Sequence, residues 1–388
     1  MTWEIKTIGD LGKVVTGKTP PTNNQEFYDG RLPFITPSDL DWASYAVTQT
    51  GSTVTELAGQ RFKNQLLPAG ATFVTCIGNT IGKIGLAAGD CISNQQINSI
   101  IANDHHDPKF LYYLMCHHRR LIRSIGLGGG AAQPIINKST FSRIEVKTPK
   151  RWVQEKIAAT LSAYDDLIAV NTRRIALLEE AARLLHRNAV TFADKSSGSW
   201  KSKKFGDVME LVKLSVQPKD FVDTDIHIGL AHLPRRSFTL SNWEGIESLE
   251  SSKYRFKKDD ILFCKIRPYF HKVGFALRDG LASSDTLVWR IKEPGLWALA
   301  LTVASSDHFV AVASKTVKEG SKMPRANWKV LKDYPVDIPP ESKLHEFSLA
   351  VENIASQCRT LAFQNHTLAR ARDLLLPRLM DGRIELAS

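Results

Sequence analysis

The chain repeats itself once along almost its whole length, and no single-domain fold accommodates such a pattern. Trp3, Lys6, Gly9 and Asp10 recur as Trp200, Lys203, Gly206 and Asp207. Ile77, Lys83, Gly85 and Ala87 recur as Ile266, Lys272, Gly274 and Ala276. Gly130, Pro134, Asn137, Val146 and Pro149 recur as Gly320, Pro324, Asn327, Val336 and Pro339. The spacing between copies drifts, as it does when loops change length after a duplication. Each copy is about half of the 388 residues, far longer than the roughly 20–50 residues of a solenoid repeat, so the repeated object is a whole domain with its connector.

Within each copy the texture changes at one place. Residues 3–149 are rich in Gly, Pro, Asn and Thr around short apolar runs such as Ala71-Thr72-Phe73-Val74-Thr75 and Ile97-Asn98-Ser99-Ile100-Ile101, which predicts a mixed α/β domain of short strands. From Trp152 Gly and Pro vanish until Gly198, and a 4-3 rhythm takes over: Ile157, Leu161, Tyr164, Ile168, Asn171, Ile175, Leu178, Ala182, Leu185. The second copy repeats the rhythm after Pro339-Pro340, as Phe347, Val351, Ile354, Cys358, Leu361, Asn365, Leu368, Arg372, Leu375 and Leu379. A helix packed on its own globule shows a wider stripe at period 3.6; a sustained 4-3 seam is that of a coiled coil.

The reading is therefore α+β: two duplicated mixed α/β domains (1–150 and 196–340) separated by two long helices (151–195 and 341–388) forming an intramolecular antiparallel coiled coil. A helix of about 38 residues spans roughly 57 Å, which predicts a dumbbell with a rigid spacer. Asn171 and Asn365 fall near mid-helix and are expected to meet, a buried Asn pair fixing register at some cost in stability.

Lys plus Arg is 51 against 40 for Asp plus Glu, a formal charge of +11, which points to a polyanionic partner. No run approaches the ~18–20 apolar residues of a membrane span, and Met1-Thr2-Trp3-Glu4-Ile5-Lys6 lacks a signal-peptide plan, so the expectation is a cytoplasmic chain with no membrane partner. The five cysteines (Cys76, Cys91, Cys116, Cys264, Cys358) are scattered, and neither His105-His106 nor His117-His118 has a partner cluster at ligand spacing; no metal and no cofactor are expected. Gly126-Leu127-Gly128-Gly129-Gly130 precedes an extended segment where a nucleotide loop would open a helix, and its counterpart, Lys315-Thr316-Val317-Lys318-Glu319-Gly320, is not glycine-rich. Neither Pro-Pro pair follows Asn or Asp and precedes an aromatic, as the base-holding motif of an adenine methyltransferase would. No catalytic residue is expected.

Several stretches match a known family: Gly17-Lys18-Thr19-Pro20; Leu32-Pro33-Phe34-Ile35-Thr36-Pro37-Ser38-Asp39-Leu40; Leu67-Pro68-Ala69-Gly70; Thr80-Ile81-Gly82-Lys83-Ile84-Gly85; Asn94-Gln95-Gln96-Ile97-Asn98; and Gln133-Pro134-Ile135-Ile136-Asn137. Gln154-Glu155-Lys156-Ile157-Ala158 opens the first helix and Leu374-Leu375-Leu376-Pro377-Arg378-Leu379-Met380-Asp381-Gly382 closes the second. In order, and with the duplication, they make the chain resemble the specificity subunit of type I restriction-modification systems. The second copy departs from the first at Arg267-Pro268-Tyr269-Phe270-His271, Lys322-Met323-Pro324-Arg325 and Leu344-His345-Glu346-Phe347. The resemblance implies a non-catalytic subunit that reads a bipartite site on double-stranded DNA with two recognition domains. It also implies docking of two DNA adenine methyltransferase (modification) subunits on the helices, and of a restriction (motor and nuclease) subunit through the complex. The alternative is a bivalent DNA-binding repressor or phage-exclusion component without a methyltransferase.

Candidate DNA contacts in the first domain lie in the family-like loops: Lys18, Thr19, Asn79, Thr80, Lys83, Gln95 and Gln133. In the second domain the cations Lys253, Arg255, Lys257, Lys258, Lys265, Arg267, Lys272 and Arg278 interleave with Tyr254, Phe256, Phe263, Tyr269 and Phe270, and a further run holds Lys315, Lys318, Lys322, Arg325, Lys329 and Lys332. The candidates there are Arg235, Arg236, Lys265, Arg267, Tyr269, Lys272, Lys322 and Arg325. Cations neutralise phosphates, and Asn, Gln and Arg pair with base edges.

Overall fold

The computed structural model describes residues 3–43, 45–128, 134–191, 193, 195, 199–316 and 324–384. The chain forms two units, one of Met1–Leu167 with Leu368–Ser388, the other of Ile168–Thr367.

In the first unit, strand Trp3–Thr7 pairs antiparallel with Glu145–Pro149. A five-stranded sheet follows in the order Gly12–Thr16, Ile97–Ala102, Thr72–Thr75, Ile84–Ala87, Ala46–Val47. A second sheet holds Ser52–Val54, Tyr28–Ile35, Cys91–Ser93 and Leu66–Leu67. Helix Pro108–His117 is capped by the Asp107 carboxylate, which accepts from the Phe110 N–H at 2.8 Å. Phe110 through Met115 are all buried, so this helix lies inside the core rather than on it. That core closes on Ile157 and Leu161 of one long helix and Leu379 and Met380 of the other.

The second unit repeats the plan. Strand Lys201–Lys204 pairs with Pro335–Ile338, and Met209–Val212, Thr286–Ile291, Ile261–Cys264 and Val273–Phe275 follow one another in the same order as their counterparts above. A second sheet holds Ser215–Val216, Lys253–Phe256, Gly280–Ala282 and His227–Ile228. The copies diverge in the segments joining their first strands to this common frame. Helix Trp297–Ala304 is buried on every side. With that burial it is a core helix, and no single helix among the described residues is long and apolar enough to cross a membrane.

The long helices run Arg151–His186 (36 residues) and Glu341–Met380 (40 residues), and they pack antiparallel inside each unit. In the first, Asp165 meets Arg372 while Ile157 and Leu161 share a core with Leu379. In the second, Ile175, Ala182, Phe347, Val351, Ile354, Cys358 and Leu361 are buried together, with Leu178 and Leu185 against them. Asn171 Nδ2 donates to Asn365 Oδ1 at 3.0 Å, and Asn365 Nδ2 reaches the Thr172 hydroxyl at 3.3 Å. Tyr164, Ile168, Leu368 and Leu375 are half-buried. The polar pair holds a register that an all-apolar seam would leave free to slip by a heptad.

His186, near the C-terminus of the first long helix, is buried beside Phe347, its Nδ1 has no hydrogen-bond partner, and burial lowers its pKa to about 4. The unfolded chain therefore binds this proton more tightly than the folded one. Its contribution is complete above pH ~6.5 and is lost as pH falls toward about 4, up to roughly 3 kcal/mol. His186→Leu is expected to flatten that part of the stability profile in urea unfolding; an unchanged acid slope refutes the assignment.

Candidate nucleic-acid interface

Strand register places three loops of each unit at one end of its central sheet. In the first, Thr16 pairs opposite Asn98 and Ile97 opposite Thr75, which gathers the segments after Thr16, after Thr75 and before Ile97. In the second, Val212 lies opposite Val288 and Cys264 opposite Thr286, gathering the equivalent three.

The duplication extends to single backbone hydrogen bonds. Cys76 N–H donates to Gln96 O at 2.8 Å, Gly78 N–H to Pro134 O at 2.8 Å and Ile136 N–H to Cys76 O at 2.8 Å. In the second unit Lys265 N–H donates to Asp285 O at 3.0 Å, Arg267 N–H to Pro324 O at 2.8 Å and Ala326 N–H to Lys265 O at 2.8 Å. The Asn94 side chain accepts from Gln96 N–H at 3.0 Å, as the Ser283 hydroxyl accepts from Asp285 N–H at 3.2 Å. Because main chain carries this frame, the outward side chains are free to differ.

Lys18, Asn79 and Gln95 are exposed on the first cluster, and the Thr19 hydroxyl donates to Gln95 Oε1 at 2.6 Å, tying two of the loops together. Thr80 is turned back onto its own loop, its hydroxyl donating to Ile77 O at 3.0 Å. Lys83, expected at DNA, instead donates to the Pro37 and Leu40 carbonyls at 3.0 and 2.6 Å. Lys272, its repeat partner, donates to Leu230 O at 2.6 Å, and burial lowers its pKa. The recurring lysine thus braces a neighbouring loop in both units. Lys265 is likewise engaged, by Ser284 O at 2.7 Å and Asp285 at 3.5 Å. Gln133 and Lys322 lie outside the described residues.

On the second cluster Arg235, Arg236, Arg267, Tyr269 and Arg325 are exposed. The Arg235 guanidinium stacks 4.1 Å from the Phe270 ring centroid, with Tyr269 edge-on to the same ring at 4.9 Å. Arg236 pairs with Asp307 at 2.9 Å and Arg325 with Asp285 at 3.2 Å, both at exposed positions where solvent weakens the pairing. The cation run from Lys253 to Arg278 is not one surface. Lys253 is buried, bonded to Ser251, and Arg255 makes a bidentate pair with Asp225 at 2.8 and 3.0 Å. Both cations lie on the strand Lys253–Phe256 of one sheet, whereas Lys265 and Arg267 follow the strand Ile261–Cys264 of the other.

Sequence reasoning overlooked Trp42, 44% exposed, with the Arg123 guanidinium 4.7 Å from its ring and donating to Ile81 O at 2.8 Å. The Asp41-Trp42 step in a polar loop was the available signal. His227, His232 and Glu244 also gather in the second unit. There the Gly229 N–H donates to His232 Nδ1 at 3.0 Å, so the neutral ring carries its proton on Nε2, facing Glu244 at 3.8 Å, while His227 Nδ1 lies 2.7 Å from the same carboxylate.

Lys83→Ala and Lys272→Ala are expected to lower the melting temperature while leaving the slope of log DNA affinity against log salt unchanged. Arg235→Ala is expected to do the reverse, reducing that slope by about 0.9 for one lost phosphate contact. Equal slopes for Arg235→Ala and the parent chain would remove Arg235 from the interface.

A family model described as type I restriction modification DNA specificity domain matches residues 1–180. The type I restriction enzyme MjaIX specificity subunit of Methanocaldococcus jannaschii is 25% identical, covering 99% of this chain and 94% of that protein. The EcoDI specificity subunit of Escherichia coli is 26% identical over 96% of this chain and 86% of its own length. The crystal structure of a type I restriction-modification S subunit from M. genitalium superposes with a TM-score of 0.60 at 12% identity, over 100% of this chain and 97% of that one, a likeness of fold.

Proposed function

Because this chain belongs to the specificity-subunit family of type I restriction-modification systems, we propose that it is the non-catalytic reader of a bipartite site on double-stranded DNA, one half-site per unit. The observation that carries the reading is the loop cluster built twice on the same hydrogen-bonded frame and decorated differently: Lys18, Asn79 and Gln95 on one copy, Arg235, Arg267, Tyr269 and Arg325 on the other. A common scaffold with divergent side chains is what two readers of two different half-sites require. Phosphate contacts from the cations supply affinity, and Asn, Gln and Arg at base edges supply sequence choice. The long helices are proposed to dock two DNA adenine methyltransferase subunits, with a restriction subunit joining through the complex. All bond-making then belongs to those partners.

Mapping methylated adenines in the source genome with and without this gene tests the proposal. A bipartite motif that disappears with the gene supports it, and an unchanged methylome refutes it.

A further inference from the structure

The two copies of one turn differ in a way the fold does not require. In the first unit the turn Gly78–Thr80 begins with Gly78 at φ +68° and is followed, after Ile81, by Gly82 at φ +88°, left-handed positions suited to glycine. In the second unit the matching turn, Pro268–Phe270, is flanked by Arg267 at φ +48° and His271 at φ +53°. Both turns hang from the same bond, Gly78 N–H to Pro134 O and Arg267 N–H to Pro324 O, each 2.8 Å. Two side chains thus occupy backbone conformations that cost an L-residue stability and that the sister copy fills with glycine.

His271 has internal uses for its side chain: it is buried, Nε2 lies 2.9 Å from Ser305 O and Nδ1 3.4 Å from Asp307. Arg267 has none of this kind. It is exposed, and among the described residues its guanidinium has no carboxylate or carbonyl partner, only the Phe270 ring at 5.9 Å. A Cβ built on Gly78 meets nothing within 4 Å, so a side chain at this position of the turn projects into open space.

Resting on the function proposed above, we propose that Arg267 reads a guanine in the half-site of the second unit, donating to its O6 and N7, and that the first unit, with Gly78 at the same place, makes no equivalent contact. A phosphate contact needs only a cation nearby, and Arg235 stands on the same aromatic ring to make one. A disfavoured backbone position held by a fixed hydrogen bond instead gives a guanidinium a set origin and direction, which two-point base reading demands.

The test uses the full chain, with Arg267 replaced by the sister residue (R267G) and by lysine (R267K), expressed from its own locus with its neighbours. Readouts are the methylome, thermal unfolding, and binding to a duplex carrying the mapped site. R267G is expected to melt no lower than the parent, to bind its site about ten- to a hundredfold more weakly, and to make one base pair of one half-site degenerate. R267K is expected to keep the salt slope and still lose that base. A motif unchanged in R267G, a uniform weakening across sequences with a shallower salt slope, or a lowered melting temperature each overturns the assignment. A parent locus that deposits no bipartite motif overturns the proposed function first, and this assignment with it.

Discussion

Arg372→Leu is expected to destabilise the first unit by about 3–5 kcal/mol, the cost of leaving a buried carboxylate without its counter-charge. The Arg372 guanidinium contacts Asp165 across the paired helices, and the Tyr113 hydroxyl donates to the other carboxylate oxygen at 2.5 Å. Asp165 is only 3% exposed. Burial dominates its titration and raises its pKa, while Arg372 and Tyr113 oppose that rise. Removing the guanidinium strengthens the preference for the neutral acid, so the deficit of the variant should shrink as pH falls into the carboxylate range, where the proton neutralises Asp165. Replacing both partners by Leu should recover most of the loss, because two apolar groups leave no charge stranded. Urea unfolding at neutral and acid pH checks this; a loss below about 1 kcal/mol, or one independent of pH, contradicts it.

Glu179→Ala should cost the second unit about 3 kcal/mol or more, and should loosen the segment that carries Arg235 and Arg236. Glu179 Oε1 accepts from the Ser237 hydroxyl at 2.8 Å and from the Phe238 and Thr239 N–H groups at 3.1 and 2.8 Å. Phe238 and Thr239 are buried, so truncation strands two backbone donors away from water at roughly 1–3 kcal/mol each. Arg183, one turn on, pairs with Glu179 at 3.4 Å and donates to Arg236 O at 2.6 Å. Glu179→Gln keeps an acceptor oxygen in place and should lose far less. Hydrogen exchange at 237–239 and the melting temperature read the difference, and equal losses for Ala and Gln would show that the acceptor geometry is not what matters.

The seam was legible because a 4-3 period admits few packings, and Asn171 and Asn365 were legible because a polar residue in an apolar seam needs a partner. Arg372 occupies a seam position, yet nothing local in the sequence announces Asp165, one place after Tyr164. The loops were harder. Lys83 and Lys272 recur, and recurrence on a basic chain reads as phosphate contact; their partners are backbone carbonyls of Pro37, Leu40 and Leu230, which carry no signature in side-chain identity. Cation runs mislead for a similar reason, since Lys253 and Arg255 sit on a strand of one sheet, buried or paired, and Arg267 on a turn that follows a strand of the other, although they are near in sequence. Left-handed backbone at Arg267 was invisible because only glycine advertises it.

The first unit is discontinuous: Met1–Leu167 is completed by Leu368–Ser388, with the whole second unit threaded between. On a ribosome the contiguous second unit can close as soon as it emerges, whereas Ile157, Leu161 and Asp165 wait for Arg372, Leu379 and Met380. At about 5–20 residues per second the interval is roughly 10–40 s, during which an apolar helix face and a bare carboxylate stand open to chaperones and proteases. Order of synthesis therefore makes the last turns of the second long helix a checkpoint: a chain that stops short of them leaves its earliest-made half unfinished.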